Sequence, residues 1–180
     1  MTNFSIIVAV SENNGIGKDG KLPWNVPEDM EFFKKITTTV INPEKSNIII
    51  MGRKTFESIG KKPLKQRFNI CVSKTLCKED YKKYTNVEIV DSFEEALELS
   101  VELSGTICEK VFVIGGLQLY NVALCHKRCY EIICNEIKGN YDCDTFFPKI
   151  NMDIYDKPEI TIISNIVVSK NFKKIFYEDT

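Results

Sequence analysis

Histidine is nearly absent from this sequence: one residue, His126, stands among 180. A hydrolase built on serine and a positioned imidazole, or a histidine-rich metal site, has little to work with. A surplus of charge is missing too. Lys plus Arg (24) nearly balances Asp plus Glu (25), so no global field draws the chain to nucleic acid or an anionic membrane. No apolar run approaches the roughly 20 residues of a membrane span. The first run, Ile6 to Val10, is too short for a signal-peptide core and lacks a basic start. Seven cysteines make an odd number at irregular spacing, without a disulfide framework. They read as free thiols in a reducing cytosol, several of them buried as small hydrophobes. Cys125, His126 and Cys129 lack the paired Cys-x-x-Cys spacing of strong zinc sites, so no metal centre is expected. What remains is a cytoplasmic chain whose length suits one well-buried domain over 1–180.

What is present is alternation. Short β-branched runs (Phe4 to Val10, Asn47 to Met51, Phe68 to Ser73, Val87 to Val90, Lys110 to Ile114, Glu131 to Glu136) read as strands. Between them, Pro27 to Thr38, Lys54 to Ile59, Phe93 to Leu103 and Leu117 to Leu124 carry helical patterns. Strands such as Ile6-Ile7-Val8-Ala9-Val10 are apolar on both faces, as strands covered by helices must be. From Glu159 to Glu178 two strand-like runs flank Lys170-Asn171, which predicts a hairpin with its turn at that pair. The expected fold is α/β: a single domain with a central, mostly parallel mixed sheet, flanking helices and a C-terminal antiparallel hairpin.

Several segments carry chemistry. Asn13 to Gly20 holds three glycines and reads as a loop that approaches a ligand, although its glycine spacing is not that of a dinucleotide fingerprint. Pro27 suits the first turn of a helix, which sets Asp29 and Phe33 on one face with Met30 beside them. Asp29 is either a first-turn acid favoured by the helix dipole or a carboxylate among Met30, Phe33 and Trp24. In the second case it accepts paired donors from a flat heterocycle, and desolvation raises its pKa. Glu28 fills the exposed dipole role. Three strand ends offer anion-binding chemistry: Gly52-Arg53-Lys54-Thr55, Ser73-Lys74-Thr75 and Gly115-Gly116-Leu117. Together they suggest a dinucleotide across the carboxyl ends of the strands.

At this point the sequence resembles the dihydrofolate reductase family. Ile7 to Ser11, Gly15-Ile16-Gly17, Leu22-Pro23-Trp24, Ile50 to Thr55 with Glu57-Ser58-Ile59, Pro63 to Arg67, Ile114-Gly115-Gly116 with Tyr120, and Asp144 to Pro148 are similar to that family's motifs, in its order. The likeness covers essentially the whole chain, and Thr37-Thr38-Thr39 and Phe146-Phe147-Pro148 look more like eukaryotic members. The resemblance implies reduction of 7,8-dihydrofolate with NADPH, and sensitivity to antifolates. It makes Asp29 the acid that holds the pterin and assists protonation at N5. Ile7 and Ile114 would offer backbone carbonyls, with Val8, Ala9, Met30 and Phe33 lining the pterin slot. Leu22 and Trp24 would sit on the loop closing over the nicotinamide. Ser58, Ile59 and Leu64 would flank the benzoyl group, and Arg67 would take the glutamate α-carboxylate.

For the cofactor, the same resemblance implies that Ala9, Ile16, Gly17, Lys18, Gly20 and Leu22 lie along it. Gly52, Arg53, Lys54 and Thr55 would meet phosphates, and Val72, Ser73 and Lys74 the adenosine 2′-phosphate. Gly115, Gly116, Leu117, Gln118, Leu119 and Tyr120 would surround the pyrophosphate. The family also includes reductases fused to thymidylate synthase, so a covalent link to that partner is compatible with the sequence. Gln66 stands where the family usually has Gly, and Leu117 and Gln118 are bulkier than the small residues common there. Asn135 stands where the family has a Thr linked to the acid; strand alternation aims it at Asp29. A pyrimidine reductase of the same fold need not combine Trp24, Asp29 and Arg67, and a binding protein without turnover has no need of Asp29.

Overall fold

The computed structural model describes residues 2–175. The first half of the chain runs β1 (Phe4–Ser11), β2 (Gly15–Gly17), α1 (Pro27–Thr38), β3 (Ser46–Gly52), α2 (Arg53–Ser58), β4 (Arg67–Val72) and β5 (Val87–Val90). The second half runs α3 (Phe93–Leu103), β6 (Cys108–Val113), α4 (Leu117–Cys125), β7 (Cys129–Ile137), β8 (Thr145–Phe146), β9 (Glu159–Ile162) and β10 (Val167–Lys173). Eight strands form one sheet in the order β5-β4-β3-β6-β1-β7-β10-β9. The pairs from β5 to β7 are parallel, and β10 is antiparallel to both β7 and β9. The expected α/β architecture is the observed one.

The two-faced apolar strands explain the layering. Along β1, Phe4, Ile6, Val8 and Val10 enter one core, while Ile7 joins the opposite one. β3 divides in the same way, Ile48 and Ile50 against Ile49 and Met51. Successive side chains of a strand face opposite ways, so a run without polar gaps requires cover on both faces. Helix α3 begins at an N-cap, where Ser92 Oγ accepts from the Glu95 N–H at 3.1 Å. No helix among the described residues is long and apolar enough to cross a membrane, and all seven thiols are free.

Two expectations are corrected. Lys170 and Asn171 do not turn; they lie inside β10, paired with Cys134 and Ile133 of β7. Their polarity has another cause. Lys170 Nζ meets Glu136 at 2.6 Å and Asn171 Nδ2 donates to Glu131 at 2.8 Å. The chain reverses earlier, between β9 and β10, at Ser164-Asn165-Ile166. The far end of the expected hairpin, at Glu178, lies outside the described residues. The glycine-rich stretch is likewise not all loop, because β2 pairs antiparallel with β8 in a separate two-stranded sheet.

Because β1, β3, β4, β5, β6 and β7 run parallel, their carboxyl ends gather at one edge of the sheet. The turns after β3, β4 and β6 open there together. Sheet polarity thus places segments distant in sequence along one crevice.

Candidate active site

That crevice is a cleft of about 1080 Å³. Its inner end is built on β1, β7 and α1. β1 and β7 pair in parallel with Ala9 opposite Asn135, and α1 packs over them so that Asp29, in its first turn, is buried. Asn135 Nδ2 donates to Asp29 Oδ1 at 2.9 Å. An ionised carboxylate only accepts, so the amide turns its N–H₂ to Asp29 and its oxygen elsewhere. Among the described residues that oxygen has no hydrogen-bond partner, and the indole Nε1–H of Trp24, close to Asp29, makes no hydrogen bond of good geometry. Burial pushes the Asp29 carboxyl above the ordinary carboxylate range; Asn135 and the nearby Trp24 indole oppose the shift. Desolvation prevails, and it favours the neutral acid.

Around this carboxyl the wall is apolar: Ile7, Val8, Ala9, Met30, Phe33 and Ile114 all border the cleft, with Ser58, Ile59 and Leu64 further out. Tyr120, buried at the back of the cleft, donates its hydroxyl to the Ile7 carbonyl at 2.9 Å, and its burial pushes the phenol pKa up. A charged donor from a bound molecule here meets one carboxyl and a ring of apolar surface.

Arg67 follows the cleft-lining Leu64 in sequence and sits beside Phe33, another residue of the wall. It is buried in the sheet behind α1, where Nη1 donates to Thr37 Oγ1 at 3.0 Å and Nε to the Lys65 carbonyl at 2.9 Å. Its guanidinium carbon lies 5.9 Å from the centre of the Phe33 ring. Among the described residues it makes no ion pair with a carboxylate, and burial lowers its pKa. A buried cation without a counter-ion is costly, and it fits a site completed by an anion. The turn before it places Gln66 at φ +61°, in the left-handed region, so a side chain occupies a glycine-like conformation.

The outer end is made of strand ends and helix starts. Arg53, Lys54 and Thr55 follow β3, Ser73 and Lys74 follow β4, and Gly115 to Leu119 follow β6, all lining the cleft. A Cβ on Gly115 would lie 3.1 Å from the Tyr120 ring at a φ of +114°, and one on Gly116 would lie 3.5 Å from Thr55 Oγ1. Bare backbone at this point fits the close approach of a phosphate, and so does the donor set around it. Arg53 is half-committed, with Nη1 2.9 Å from Glu57 Oε1. The Gly52 N–H is not free either, since it donates to the Gly115 carbonyl at 2.8 Å.

Over the cleft lies the segment from Gly15 to Leu22. Ile16, Gly17, Gly20 and the exposed Leu22 border the cavity, whereas Lys18 turns away to Asp142 at 3.2 Å. Trp24 packs beneath with Val26, Ile137 and Val167, its ring 5.3 Å from that of Tyr141. The segment is clamped from the side. Asp19 N–H donates to Asp144 Oδ2 at 2.9 Å, and Asp144 N–H to the Gly17 carbonyl at 3.0 Å. A side chain at Gly15 would run into Cys143 and Ser11, so the absence of a Cβ lets these segments meet closely.

The cleft also includes residues that no sequence signal assigned to it: Lys21, Phe32, Asp91, Phe93, Val122, Asp144 and Thr145. Asp91 follows the end of β5 directly, so the logic applied to the other strand ends was available for it. Asp144 and Thr145 reach the cleft only through the pairing of β2 with β8, which no local pattern announces.

Comparison with known proteins adds an independent line. A family model described as dihydrofolate reductase matches residues 3–163. The dihydrofolate reductase of Schistosoma mansoni is 42% identical over 182 residues, covering 97% of this chain and 95% of that protein. That of Drosophila melanogaster is 37% identical over 152 residues, 83% of this chain and 81% of the relative. A bifunctional dihydrofolate reductase-thymidylate synthase of Daucus carota is 44% identical over 158 residues; the match spans 84% of this chain but 29% of that protein.

Proposed function

This chain belongs to the dihydrofolate reductase family, and from that premise we propose that it reduces 7,8-dihydrofolate to 5,6,7,8-tetrahydrofolate with NADPH. Residues 1–180 are taken as one reductase domain, working in a reducing cytosol where its thiols stay free. The observation that carries the proposal is the Asp29 carboxyl, buried on the cleft wall and held by Asn135.

A pterin presents a ring N–H and an exocyclic amino group side by side, and the two oxygens of Asp29 accept that pair. Burial raises the Asp29 pKa and so favours its protonated form; a proton held there assists protonation at N5, which makes C6 electrophilic. Val8, Ala9, Met30 and Phe33 hold the flat ring by apolar contact, and the Ile7 and Ile114 carbonyls face its far edge. Leu64, Ile59 and Ser58 flank the benzoyl portion, and Arg67, without a carboxylate partner among the described residues, takes the glutamate carboxylate in the paired geometry a guanidinium allows.

NADPH, when bound, supplies the hydride that C6 accepts. Lys54, Thr55 and Arg53 would hold its phosphates, Gly115 and Gly116 would admit the pyrophosphate to backbone contact, and Ser73 with Lys74 would meet the 2′-phosphate. Ile16, Gly17, Gly20 and Leu22 would cover the nicotinamide, with Trp24 supporting them from below. The protein's share is then positioning, exclusion of water and control of one proton. The test is the loss of NADPH absorbance on adding dihydrofolate, with NADH measured separately. Dihydrofolate-dependent oxidation is expected; its absence in a folded preparation overturns the assignment.

A further inference from the structure

One carboxylate at the outer end of the cleft, Asp91, takes no part in the chemistry proposed for folate and NADPH. Asp91 directly follows β5, which pairs in parallel with β4, and β4 ends at Ser73, Lys74 and Thr75. The two strand ends are tied together, because the Ser73 N–H donates to the Val90 carbonyl at 2.8 Å. Asp91 therefore opens beside Ser73 and lines the same wall. Both sides of this corner are fixed. Ser73 Oγ accepts from the N–H groups of Thr75 and Leu76 at 3.2 and 3.1 Å, and the Asp91 N–H donates to Glu95 Oε2 at 2.7 Å. The cation nearest the Asp91 carboxylate is Lys78, at a loose 3.7 Å, which also lies 4.0 Å from Glu95. One cation between two carboxylates leaves the group net negative, beside the turn that carries Lys74.

In dinucleotide sites generally, a carboxylate at a strand end next to the adenosine ribose accepts from its free hydroxyls and repels a 2′-phosphate. A cation in the same place does the reverse. Resting on the reading that sets the 2′-phosphate by Ser73 and Lys74, we propose that Asp91 is a cofactor-selectivity residue. It offsets Lys74, narrows the preference for the 2′-phosphorylated dinucleotide and admits NADH. Asp91 is largely exposed, so its influence is a screened charge effect rather than a buried contact.

The experiment measures binary dissociation constants for NADPH and NADH by quenching of the single tryptophan, Trp24, with a thermal melt to confirm folding of each variant. Asp91→Asn should tighten NADPH by about three- to tenfold and leave NADH within about twofold or weaken it, and the gain should shrink as salt is raised. Asp91→Lys should go further in the same direction. Lys78→Gln, which uncovers Asp91, should weaken NADPH more than NADH, and that difference should vanish in an Asp91→Asn background. Equal shifts for both nucleotides, or none, overturn the assignment of Asp91 and leave the proposed function standing. If the unmodified protein binds neither nucleotide, the proposed function falls with it.

Discussion

The inner end of the cleft puts one carboxyl into the core and surrounds it with fixed partners; the outer end stands its charges in water on turns between elements. Asp29 and Asn135 are buried on adjoining elements and meet at 2.9 Å, whereas Lys74 and Asp91 are exposed. In the low-dielectric interior a single unmade hydrogen bond to charge is costly, while at the surface solvent and salt absorb most of a lost contact. This fold thus places its chemistry inside and its recognition of phosphate groups, by backbone and dispersed cations, outside. Single substitutions should therefore hurt steeply at one end and mildly at the other.

The sharpest test of that contrast is Asp29→Asn. Turnover at neutral pH should fall by at least about a hundredfold, the scale of losing a positioned acid, while binding of NADPH alone changes little. The same substitution should stabilise the fold. Asp29 has its pKa raised on folding, so the folded state binds that proton more tightly than the unfolded chain. Its contribution is favourable at low pH and is lost as pH rises past the ordinary carboxylate range. Thermal melts should show Asp29→Asn gaining over the parent at pH 7 and converging with it in acid.

Arg67→Ala comes next. Folates bearing a glutamate tail should lose about 2–3 kcal/mol of binding, the value of a charge-assisted, paired contact, whereas small pteridines without a tail lose little. Similar losses for both ligands would mean that Arg67 serves only the packing of Thr37 and Phe33. Asn135→Ala should lower kcat/KM by about 1–2 kcal/mol, since it strips a buried carboxyl of one donor; Asn135→Thr, which restores a short donor, should stay within about threefold of the parent. At the outer end, Lys74→Ala should weaken NADPH by only about fivefold and spare NADH, and raised salt should erase the difference. A fall as steep as that for Arg67 would break the comparison between the two ends. The smallest effect expected lies outside the cleft. Gln66→Gly should stabilise the fold by about 0.5–1 kcal/mol in chemical denaturation, because it relieves a side chain held at positive φ.

How much of this was legible in the sequence varies with the range of the interaction. The two-faced apolar runs of β1 and β3 and the proline-led start of α1 announce themselves, since their causes are local. Asn135 was legible for the same reason: alternation along β7 decides its face, and parallel pairing with β1 brings that face to Asp29. Lys170-Asn171 misled because a polar pair between apolar runs resembles a turn, whereas here each side chain answers an acid on β7. The strands β2 and β8 are too short to carry a period, and only their tertiary pairing makes them strands. The burial of Arg67 against Thr37 and Phe33 depends on how α1 packs on β4, which no spacing rule encodes.

The central claim is that Asp29 governs the proton that accompanies reduction. It is tested most directly by single-turnover oxidation of NADPH with dihydrofolate across pH, in the parent and in Asp29→Asn. The parent's rate should fall as pH rises through one ionisation lying above the ordinary carboxylate range. In Asp29→Asn that ionisation should disappear, with rate recovered only in acid, where solvent protonates the substrate. Parallel pH profiles of similar height in the two proteins would contradict it.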